Sequence, residues 1–483
     1  MRSVNRLRLG TGLLLGLVTV LIQGCERGPE SAAAPKSAAA PESAAAPEAA
    51  SAAPKVVLII GDGMDDQQIT IARNYLVGSK GRLTLDAMPF RAAVEVQTLD
   101  EADPSRVEYV ADSANSATSM ASGVLTSAGR ISTTANSDRD ITTIMELAQA
   151  AGFGTGLVTT ASVTDATPAA FIAHISQRGC EGPDDMVKTN ARMPMFSTDC
   201  TSDLKANGGK GSIAEQIAAS ALDVVLGGGA RYFDQTAEGE GGRTVRDVAI
   251  ANGFRIVETA GELEGLPGDG KVLGLFARST LPVELRGEND AVAVPVAHDG
   301  DRPVLPEPFA CEPNPQFDGV PRLAAMARAA LERFADDRGF MLMIESASID
   351  KQSHLRRPCG QIGELGQLDE TLRLVLDYAG DHPETLVLVT ADHGHAAKLV
   401  PEASAFAALG YASPGRFARI RTPEGAVMGV NYATNDSPIQ EDHSGVEVPL
   451  FASGPGAREL PTFMPQSEVF EIAARHLGLK PQD

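Results

Sequence analysis

The stretch Val56-Val-Leu-Ile-Ile-Gly-Asp-Gly63 shows a pattern that recurs along this chain, a short unbroken apolar run that ends at small and acidic residues. Similar runs occupy residues 340–344, before Glu345, and 386–389, before Asp392. Weaker runs lie at 156–159, 224–226 and 450–452. Continuous rather than alternating apolar runs are typical of strands that are covered on both faces, as in a parallel sheet.

Segments with helical signals lie between these runs. Residues 141–151 end before Gly152, 321–335 begin with proline, and 363–379 carry leucines at helical spacing. Alternating strands and helices predict an α/β fold with a central, mostly parallel sheet and helices on both faces. We expect a metal site beyond the carboxyl ends of the strands, where such sheets bind ligands. Residues 237–318, which are richer in Gly and Pro, are expected to form loops and insertions with some short strands.

The first 24 residues have the features of an export signal. Three arginines precede an apolar run at 13–22 that is too short for a comfortable membrane span. The sequence Leu21-Ile-Gln-Gly-Cys25 resembles a bacterial lipobox, although Gln23 is unusual at its position. We therefore expect a signal peptide at 1–24 and a lipid on Cys25 that tethers the protein to the membrane. Glu26 favours the outer membrane, so the body would lie on the periplasmic side.

Residues 25–54 repeat the unit Ser-Ala-Ala-Ala-Pro followed by Lys or Glu. Such a composition buries too little apolar surface to fold, so it predicts a disordered linker. Folding signals begin at Lys55. We expect one catalytic domain from residue 55 to 483, since no reliable boundary divides that part of the chain.

The composition narrows the classes of function. The 483-residue chain has a formal net charge of −22, which argues against a nucleic-acid partner and is compatible with carboxylates that hold cations. Four cysteines besides Cys25 suggest disulfides in an exported protein. The pairs close in sequence are Cys180–Cys200 and Cys311–Cys359, and none of the four has the CxxC partner of a zinc finger.

The segment Tyr109-Val-Ala-Asp-Ser-Ala-Asn-Ser-Ala-Thr-Ser-Met-Ala-Ser-Gly123 offers a candidate nucleophile. Asp112 or Ser113 could cap a helix of small residues, and the positive end of that helix would suit a phosphate or a serine anion. Taken alone, such a segment is more often an ordinary capped helix. The metal ligands elsewhere in the chain favour the functional interpretation.

Several acids and histidines have the spacing of metal ligands. Asp350 and His354 are four residues apart, so a helical turn would place them on one face. Asp392 and His393 follow a strand, and His443 lies in a turn-like stretch. Zinc accepts His and carboxylate ligands, although each pair alone is more often structural. The remaining histidines, for which we expect structural roles, are His174, His298, His382, His395 and His476.

Six motifs in this order resemble bacterial alkaline phosphatases, and the similarity extends from about Lys55 to Leu479. The motifs are Gly61-Asp-Gly-Met64, Asp112-Ser-Ala114, Asp165-Ala-Thr-Pro168, the segment 345–354 with Asp350-Lys-Gln352, Thr390-Ala-Asp-His393 and Glu441-Asp-His-Ser-Gly445. Both cysteine pairs fit the disulfides of that family. The resemblance implies metal-dependent hydrolysis of phosphate monoesters with broad specificity, two Zn²⁺ and one Mg²⁺ per chain, and a homodimer.

The resemblance also implies a role for each site residue. Ser113 would be the nucleophile that forms a phosphoserine, Arg178 would clamp two phosphate oxygens, and Lys351 would reach the phosphate through water. The implied metal ligands are Asp350, His354 and His443 for the first zinc, Asp62, Asp392 and His393 for the second, and Asp165, Thr167 and Glu345 for magnesium. Asp165 and Lys351 match the bacterial branch, which favours magnesium over a third zinc. Asp65 stands where the family commonly has Gly, and we expect it to face solvent.

Three other interpretations compete with a monoesterase. A phosphodiesterase of the same superfamily would share the zinc ligands but would not need Arg178, which serves the extra charge of a monoester. A sulfatase lacks support because Cys311-Glu-Pro-Asn-Pro315 has no Arg at the end of the Cys-x-Pro-x-Arg signature. A phosphate- or metal-binding lipoprotein without activity is disfavoured because every catalytic position is filled.

Overall fold

The computed structural model describes residues 52–191, 197–334 and 338–480. Within that range, ten strands form one large sheet, and we label them β1 to β10 in chain order. They are β1 Lys55–Gly61, β2 Phe90–Glu95, β3 Gly154–Ser162, β4 Val224–Gly228, β5 Phe254–Val257, β6 Lys271–Leu275, β7 Phe340–Ser346, β8 Thr385–Ala391, β9 Val448–Ser453 and β10 Phe463–Pro465. The predicted signal peptide and residues 25–51 of the predicted linker lie outside the described residues.

The order of strands across the sheet is β10-β2-β9-β8-β1-β7-β3-β4-β6-β5. Every neighbouring pair is parallel except the two that involve β9, which runs antiparallel to β8 and β2. The central strands β1, β3, β7 and β8 are buried at every position. The prediction of a mostly parallel central sheet is therefore confirmed, and the unbroken apolar runs reflect burial on both faces.

Twelve α-helices connect and cover the strands of the described chain. They are α1 Asp66–Leu76, α2 Ser113–Ser122, α3 Ile144–Ala150, α4 Ala166–Ala169, α5 Ile213–Ala219, α6 Ala230–Phe233, α7 Val245–Ala251, α8 Ala260–Glu264, α9 Leu323–Leu331, α10 Ser348–His354, α11 Pro358–Asp381 and α12 Glu468–Leu477. One group packs around α11, which contacts α1, α9 and α10, and a second group joins α12 to α2 and α3. Both α11 and α12 also contact β1, so the central strand is covered by helices of both groups.

The predicted helices exist, with shorter or shifted ends. The helix expected at 141–151 begins at Ile144, because Thr143 caps it and exchanges hydrogen bonds with Glu146. The helix expected at 321–335 is α9, and it starts two residues later than Pro321. The helix expected at 363–379 is the longer α11, which begins at Pro358.

The expectation for residues 237–318 was partly wrong. This region contains the helices α7 and α8 and the strands β5 and β6, which extend the main sheet at one end. Its remainder consists of short pairs of strands, such as Ala297–Asp299 with Arg302–Val304. The strand β5 was missed because Arg255 and Ile256 are not buried, so it has no continuous apolar signal.

Smaller features complete the described chain. A four-stranded sheet contains Val294–Pro295, Lys398–Val400, Arg416–Arg421 and Val427–Tyr432. The disulfides Cys180–Cys200 and Cys311–Cys359 are both present. In the part of the chain that the structure describes, no helix combines the length and apolar character that a membrane crossing requires.

Candidate active site

Three neighbouring parallel strands deliver acids to one edge of the sheet. The register places Gly61 at the end of β1 opposite Ser346 of β7 and Ala391 of β8. The residues at or just after these strand ends, Asp62, Glu345 and Asp392, therefore emerge side by side, and all three are buried. The site lies beyond the carboxyl ends of the strands, as the fold predicts.

A close approach of backbone explains the glycine that follows Asp62. Gly63 has a φ of +69°, and a side chain there would meet Cα of Asp350 at 3.1 Å. Its N–H donates to Oδ1 of Asp392 at 2.9 Å. Only glycine accommodates both the positive φ and this contact with α10 without strain.

The first candidate metal cluster contains Asp350, His354 and His443, together with His395. Nε2 of His354 and Nε2 of His443 lie 3.4 and 3.3 Å from Oδ1 of Asp350. The same oxygen is 3.1 Å from Nε2 of His395. The predicted grouping of Asp350 and His354 on one face of a helix is what α10 provides.

Hydrogen bonds on the outer ring nitrogens separate these histidines into two kinds. Nδ1 of His354 contacts the carbonyl of Glu441, and Nδ1 of His443 lies 2.9 Å from the carbonyl of Ala111. A neutral imidazole that donates from Nδ1 leaves the lone pair of Nε2 available for a metal. The histidines predicted as ligands thus present the nitrogen that a metal requires.

His395 has the opposite arrangement. The N–H of Ala396 donates to its Nδ1 at 2.7 Å, so the ring carries its proton on Nε2. That nitrogen lies 3.1 Å from Oδ1 of Asp350 but forms no well-aligned hydrogen bond with it. Burial lowers the pKa of His395 to about 4, which keeps the ring neutral. His395, for which we expected a structural role, lies within the first candidate metal cluster beside Asp350.

The second candidate cluster contains Asp62, Asp350 and His393, and Asp392 adjoins it. Nε2 of His393 lies 3.5 Å from Oδ1 of Asp62 and 3.4 Å from Oδ2 of Asp392. Its Nδ1 lies 3.2 Å from the carbonyl of Gly394. This ring therefore also turns Nε2 inward, and Asp350 belongs to both clusters.

Unpaired charge shows that these clusters fit cations. Within the described chain, Oδ1 of Asp62, Oδ1 of Asp350 and Oδ2 of Asp392 are buried without a hydrogen bond of good geometry. Burial raises the pKa of Asp62 well above its ordinary value, and the charges of Asp350, Asp392 and Glu345 raise it further. Buried carboxylates that repel one another are the expected donor set for a divalent metal.

The third predicted set, Asp165, Thr167 and Glu345, lies next to these clusters. Asp165 caps α4, which carries Thr167, and the buried Glu345 accepts a hydrogen bond from Thr159. Burial raises the pKa of Glu345 to about 7, and the nearby charge of Asp165 contributes. This set offers two carboxylates and a buried hydroxyl, which are oxygen ligands of the kind that magnesium takes.

Ser113 is the first residue of α2, and its hydroxyl lies 3.2 Å from Nε2 of His393. Asp112 caps the helix by accepting the N–H of Asn115 at 3.0 Å, and Asn115 accepts a hydrogen bond from the backbone N–H of Asp112. The helix predicted at this place is confirmed. Its positive end and the second metal cluster surround the serine oxygen, which is a favourable environment for an anion.

Arg178 and Lys351 bring positive charge to the same place. Arg178 donates to Oδ2 of Asp112 at 3.1 Å and to Oδ1 of Asp165 at 3.2 Å, while Lys351 donates to the other oxygen of Asp165. Burial opposes the charged form of Asp165, but the two cations outweigh it and hold its pKa well below the usual range. The structure thus groups the three predicted catalytic residues around the metal clusters.

A cavity of about 1080 Å³ opens above these groups. Its floor includes Ser113, Arg178, Asp350, Lys351 and His443. Its wall also includes Lys188 and Thr198, which belong to the antiparallel strand pair Val187–Lys188 and Thr198–Asp199 within the Cys180–Cys200 loop. Gln440 and Asp442 also line the cavity.

The expectation that Asp65 faces solvent was wrong. Asp65 is 3% exposed and caps α1, where its Oδ1 accepts the N–H of Gln67 at 2.7 Å. Its other oxygen lies 3.4 Å from the backbone nitrogen of His395 and 3.5 Å from Nζ of Lys398. Asp65 therefore fixes the chain that follows the second cluster.

The other histidines keep the structural roles expected for them. His174 lies between Glu146 and the carbonyl of Ser132, and His382 stacks on Tyr378. His476 contacts the carbonyl of Glu384, and His298 belongs to an exposed pair of strands. These four residues do not belong to the metal-capable groups of the described chain.

An α/β sheet that places a capped serine, an arginine and clustered His and Asp ligands at its carboxyl edge belongs to the metal-dependent phosphohydrolase class. The alkaline phosphatase family model matches residues 53–437. This chain therefore belongs to the alkaline phosphatase family, whose members hydrolyse phosphate monoesters through a covalent phosphoserine, and it is an enzyme of that kind.

Relatives among characterised proteins agree with this family. The chain is 41% identical over 439 residues to streptomycin-6-phosphate phosphatase of Streptomyces griseus, covering 89% of this chain and 91% of the relative. It is 39% identical over 437 residues to alkaline phosphatase of Escherichia coli, covering 89% of this chain and 87% of that protein.

Solved structures show the same fold. Thermus thermophilus alkaline phosphatase superposes with a TM-score of 0.64 at 21% identity, covering 89% of this chain and 92% of that structure. The alkaline phosphatase of the Antarctic bacterium TAB5 gives a TM-score of 0.63 at 22% identity, covering 88% and 99%. The predicted fold class and enzyme class are both confirmed.

Proposed function

We propose that this enzyme hydrolyses a broad range of phosphate monoesters with Ser113 as its nucleophile, releasing inorganic phosphate and an alcohol. The observation that carries the proposal is the position of the Ser113 hydroxyl, 3.2 Å from Nε2 of His393 at the N-terminus of α2. The serine hydroxyl loses its proton and its oxygen attacks phosphorus, while the bond to the alcohol oxygen breaks on the opposite side and that oxygen gains a proton. Water then attacks the phosphoserine and frees Ser113, so two inversions retain configuration at phosphorus.

The proposed metal complement is two Zn²⁺ and one Mg²⁺. Asp350, His354 and His443 would hold the first zinc, and Asp62, Asp392 and His393 the second. Magnesium would be held by Asp165, Thr167 and Glu345. When bound, such ions lower the pKa of a hydroxyl and neutralise charge on the entering and leaving oxygens. The inward Nε2 atoms and the unpaired carboxylate oxygens of the described site support this assignment.

Arg178 is proposed to bind two oxygens of the phosphoryl group. Its guanidinium is held between Asp112 and Asp165, so its remaining N–H groups have a fixed direction. Lys351, fixed by the same Asp165, would add positive charge that reaches the phosphate through water. These residues grip the phosphoryl group rather than the alcohol, which supports broad specificity.

The first test compares hydrolysis of p-nitrophenyl phosphate and bis-p-nitrophenyl phosphate by the purified protein. We expect a strong preference for the monoester that disappears on chelation and returns only when zinc and magnesium are both restored. A preference for the diester would refute the phosphate-pocket assignment. Incubation with ³²P-phosphate followed by acid quenching should label the wild type and not Ser113→Ala; equal labelling would refute the nucleophile.

The domain organisation is also proposed, with a signal peptide at 1–24, a linker at 25–54 and a catalytic domain at 55–483. The two disulfides favour an oxidising compartment, which supports export. A lipid on Cys25 would tether the protein to the outer membrane on the periplasmic side. Cys25→Ser should release the enzyme from membranes, while Ser31→Ala in the linker should leave it bound. Membrane retention of Cys25→Ser would refute the anchor.

A homodimer is proposed because it is common in this family. Sedimentation equilibrium of the purified protein should give twice the mass of one chain. A single-chain mass at micromolar concentration would refute the dimer.

A further inference from the structure

We propose that Asp442 makes this active site favour phosphate monoesters whose alcohol carries a positive charge close to the ester oxygen. The inference rests on the proposed function, because it uses the side of the cavity on which the alcohol departs. Asp442 would distinguish among the alcohols of different substrates, whereas the other proposed site residues bind only the phosphoryl group.

Charge balance within the cavity singles out Asp442. Among the charged residues that line it in the described chain, Asp442 alone forms no ion pair. Its Oδ2 accepts a hydrogen bond from the neutral amide of Asn435 at 2.7 Å. The other lining charges are Arg178, Lys188, Asp350 and Lys351, and each faces a group of opposite charge or an imidazole.

Asp442 also lines the cavity and is adjacent in sequence to a residue of the first metal cluster. It directly precedes His443, whose Nε2 lies 3.3 Å from Oδ1 of Asp350 in the first metal cluster. Ser113 contacts the second cluster through His393. In an in-line displacement the alcohol leaves on the side away from Ser113. The proposed metal assignment puts the first cluster, with His443 and the carboxylate next to it, on that side.

The backbone around Asp442 is held firmly. Its N–H donates to Oγ1 of Thr434 at 2.9 Å. The preceding residue, Glu441, is fully buried and accepts hydrogen bonds from Thr434 and from Arg356. Because the backbone of this cavity wall is fixed, the exposed carboxylate has a defined position from which it can select a ligand.

Lys188 offers no matching preference for an anionic alcohol. It also lines the cavity, but its Nζ lies 2.8 Å from Oδ1 of Asp185. The ion pair offsets the charge of the lysine, whereas the charge of Asp442 is not offset. An ammonium group beside the leaving oxygen would therefore gain a favourable interaction, and a carboxylate would meet repulsion.

Three small esters of similar size test the inference: phosphoethanolamine, ethyl phosphate and phosphoglycolate, whose alcohols are cationic, neutral and anionic. For each variant of the full-length enzyme, the kcat/KM for each ester is divided by that for ethyl phosphate. Each ratio of a variant is then compared with the same ratio of the wild type. This comparison cancels the differences in reactivity among the three leaving groups. We expect Asp442→Asn to lower the phosphoethanolamine ratio about twofold to fivefold and to raise the phosphoglycolate ratio, because the exposed carboxylate is screened by solvent.

Two control variants separate a local effect from a general one. Asp436→Asn removes an exposed acid from the same loop that does not line the cavity, and its ratios should match the wild type. Asp442→Glu keeps the charge and should keep the preference for phosphoethanolamine. Unchanged ratios in Asp442→Asn, or an equal shift in Asp436→Asn, would overturn the inference.

The same measurements distinguish a failure of the proposed function from a failure of the inference about Asp442. If the metal-loaded wild type hydrolyses none of the three esters, the monoesterase assignment and the inference fall together. If it hydrolyses all three and the ratios do not respond to Asp442→Asn, only the inference falls. Ethyl phosphate turnover by each variant shows that its active site has folded.

Discussion

Nε2 of His395 lies 3.1 Å from Oδ1 of Asp350, the carboxylate shared by both candidate metal clusters. Because Ala396 donates to Nδ1 of this ring, the proton is on Nε2, the nitrogen nearer the acid. We infer that His395 positions Asp350 and is not itself a metal ligand.

Replacing His395 should loosen metal binding without removing a ligand. We expect His395→Ala to weaken zinc affinity about 10- to 100-fold, as is usual when the partner of a metal ligand is lost. Competition with a zinc chelator measures the affinity directly. The control His298→Ala changes an exposed histidine far from the clusters in sequence and should leave the affinity unchanged. Wild-type zinc affinity in His395→Ala would contradict the positioning role.

Arg178 should matter more for monoesters than for diesters. A monoester dianion presents the extra oxygens that a guanidinium fork can bind, so Arg178→Ala should lower kcat/KM for the monoester by about 100-fold and weaken inhibition by phosphate. Diester hydrolysis should fall much less. Arg178→Lys, which keeps the charge and loses the fork, should recover only part of the activity. Equal losses for both substrates would contradict the assignment.

The two disulfides should differ in their effect on activity. Cys180–Cys200 closes the loop that contributes Lys188 and Thr198 to the wall of the cavity, and Cys180 is two residues from Arg178. The double variant Cys180→Ser/Cys200→Ser should lose about 3 kcal/mol of unfolding free energy and should also raise KM. Removing Cys311–Cys359 serves as the matched control, since it should lower stability and leave KM unchanged. The same KM in both double variants would contradict the role of the wall.

The ion pair between Glu101 and Arg130 should contribute to stability in a pH-dependent way. Two hydrogen bonds from Arg130 and one from Ser127 lower the pKa of Glu101 to about 2 from an ordinary value of 4.5. A lowered pKa in the folded state stabilises the protein above about pH 4.5, and the effect is lost as the pH falls toward 2. Because Glu101 is 52% exposed, solvent screening limits the contribution to about 1 kcal/mol.

Urea unfolding of the metal-free protein measures this contribution. Glu101→Gln should reduce the unfolding free energy by about 1 kcal/mol near pH 7. The difference from the wild type should shrink as the pH approaches 2. Glu108→Gln, which removes an exposed acid from the same region, should have little effect at either pH. A difference that grows on acidification would contradict a lowered pKa of Glu101 in the folded protein.

The central strands could be predicted from the sequence because burial on both faces leaves an unbroken apolar run. The strands β5 and β6 could not, since they lie near the edge of the sheet and within a Gly-rich region. Helix ends were shifted where a capping residue decides the first turn, as Thr143 does for α3. The apolar pattern of the sequence therefore predicted the central strands of the sheet, whereas local hydrogen bonds determine where the helices begin and end.

The site residues could be predicted from sequence motifs, but the roles of the residues around them could not. His395 has the same residue type as four structural histidines, and only the contacts with Asp350 and Ala396 separate it from them. Asp65 was expected in solvent because its burial depends on a segment 330 residues later in the chain. Such long-range contacts leave no signal in the local sequence.

The pairing of Arg178 with both Asp112 and Asp165 bears on how the enzyme lets go of its product. A lone guanidinium would attract inorganic phosphate more strongly than one that already faces two carboxylates. If Arg178 binds the phosphoryl group as proposed, its two ion pairs weaken its attraction for the product and keep its direction toward the cavity. Departing phosphate then leaves an arginine that is already paired.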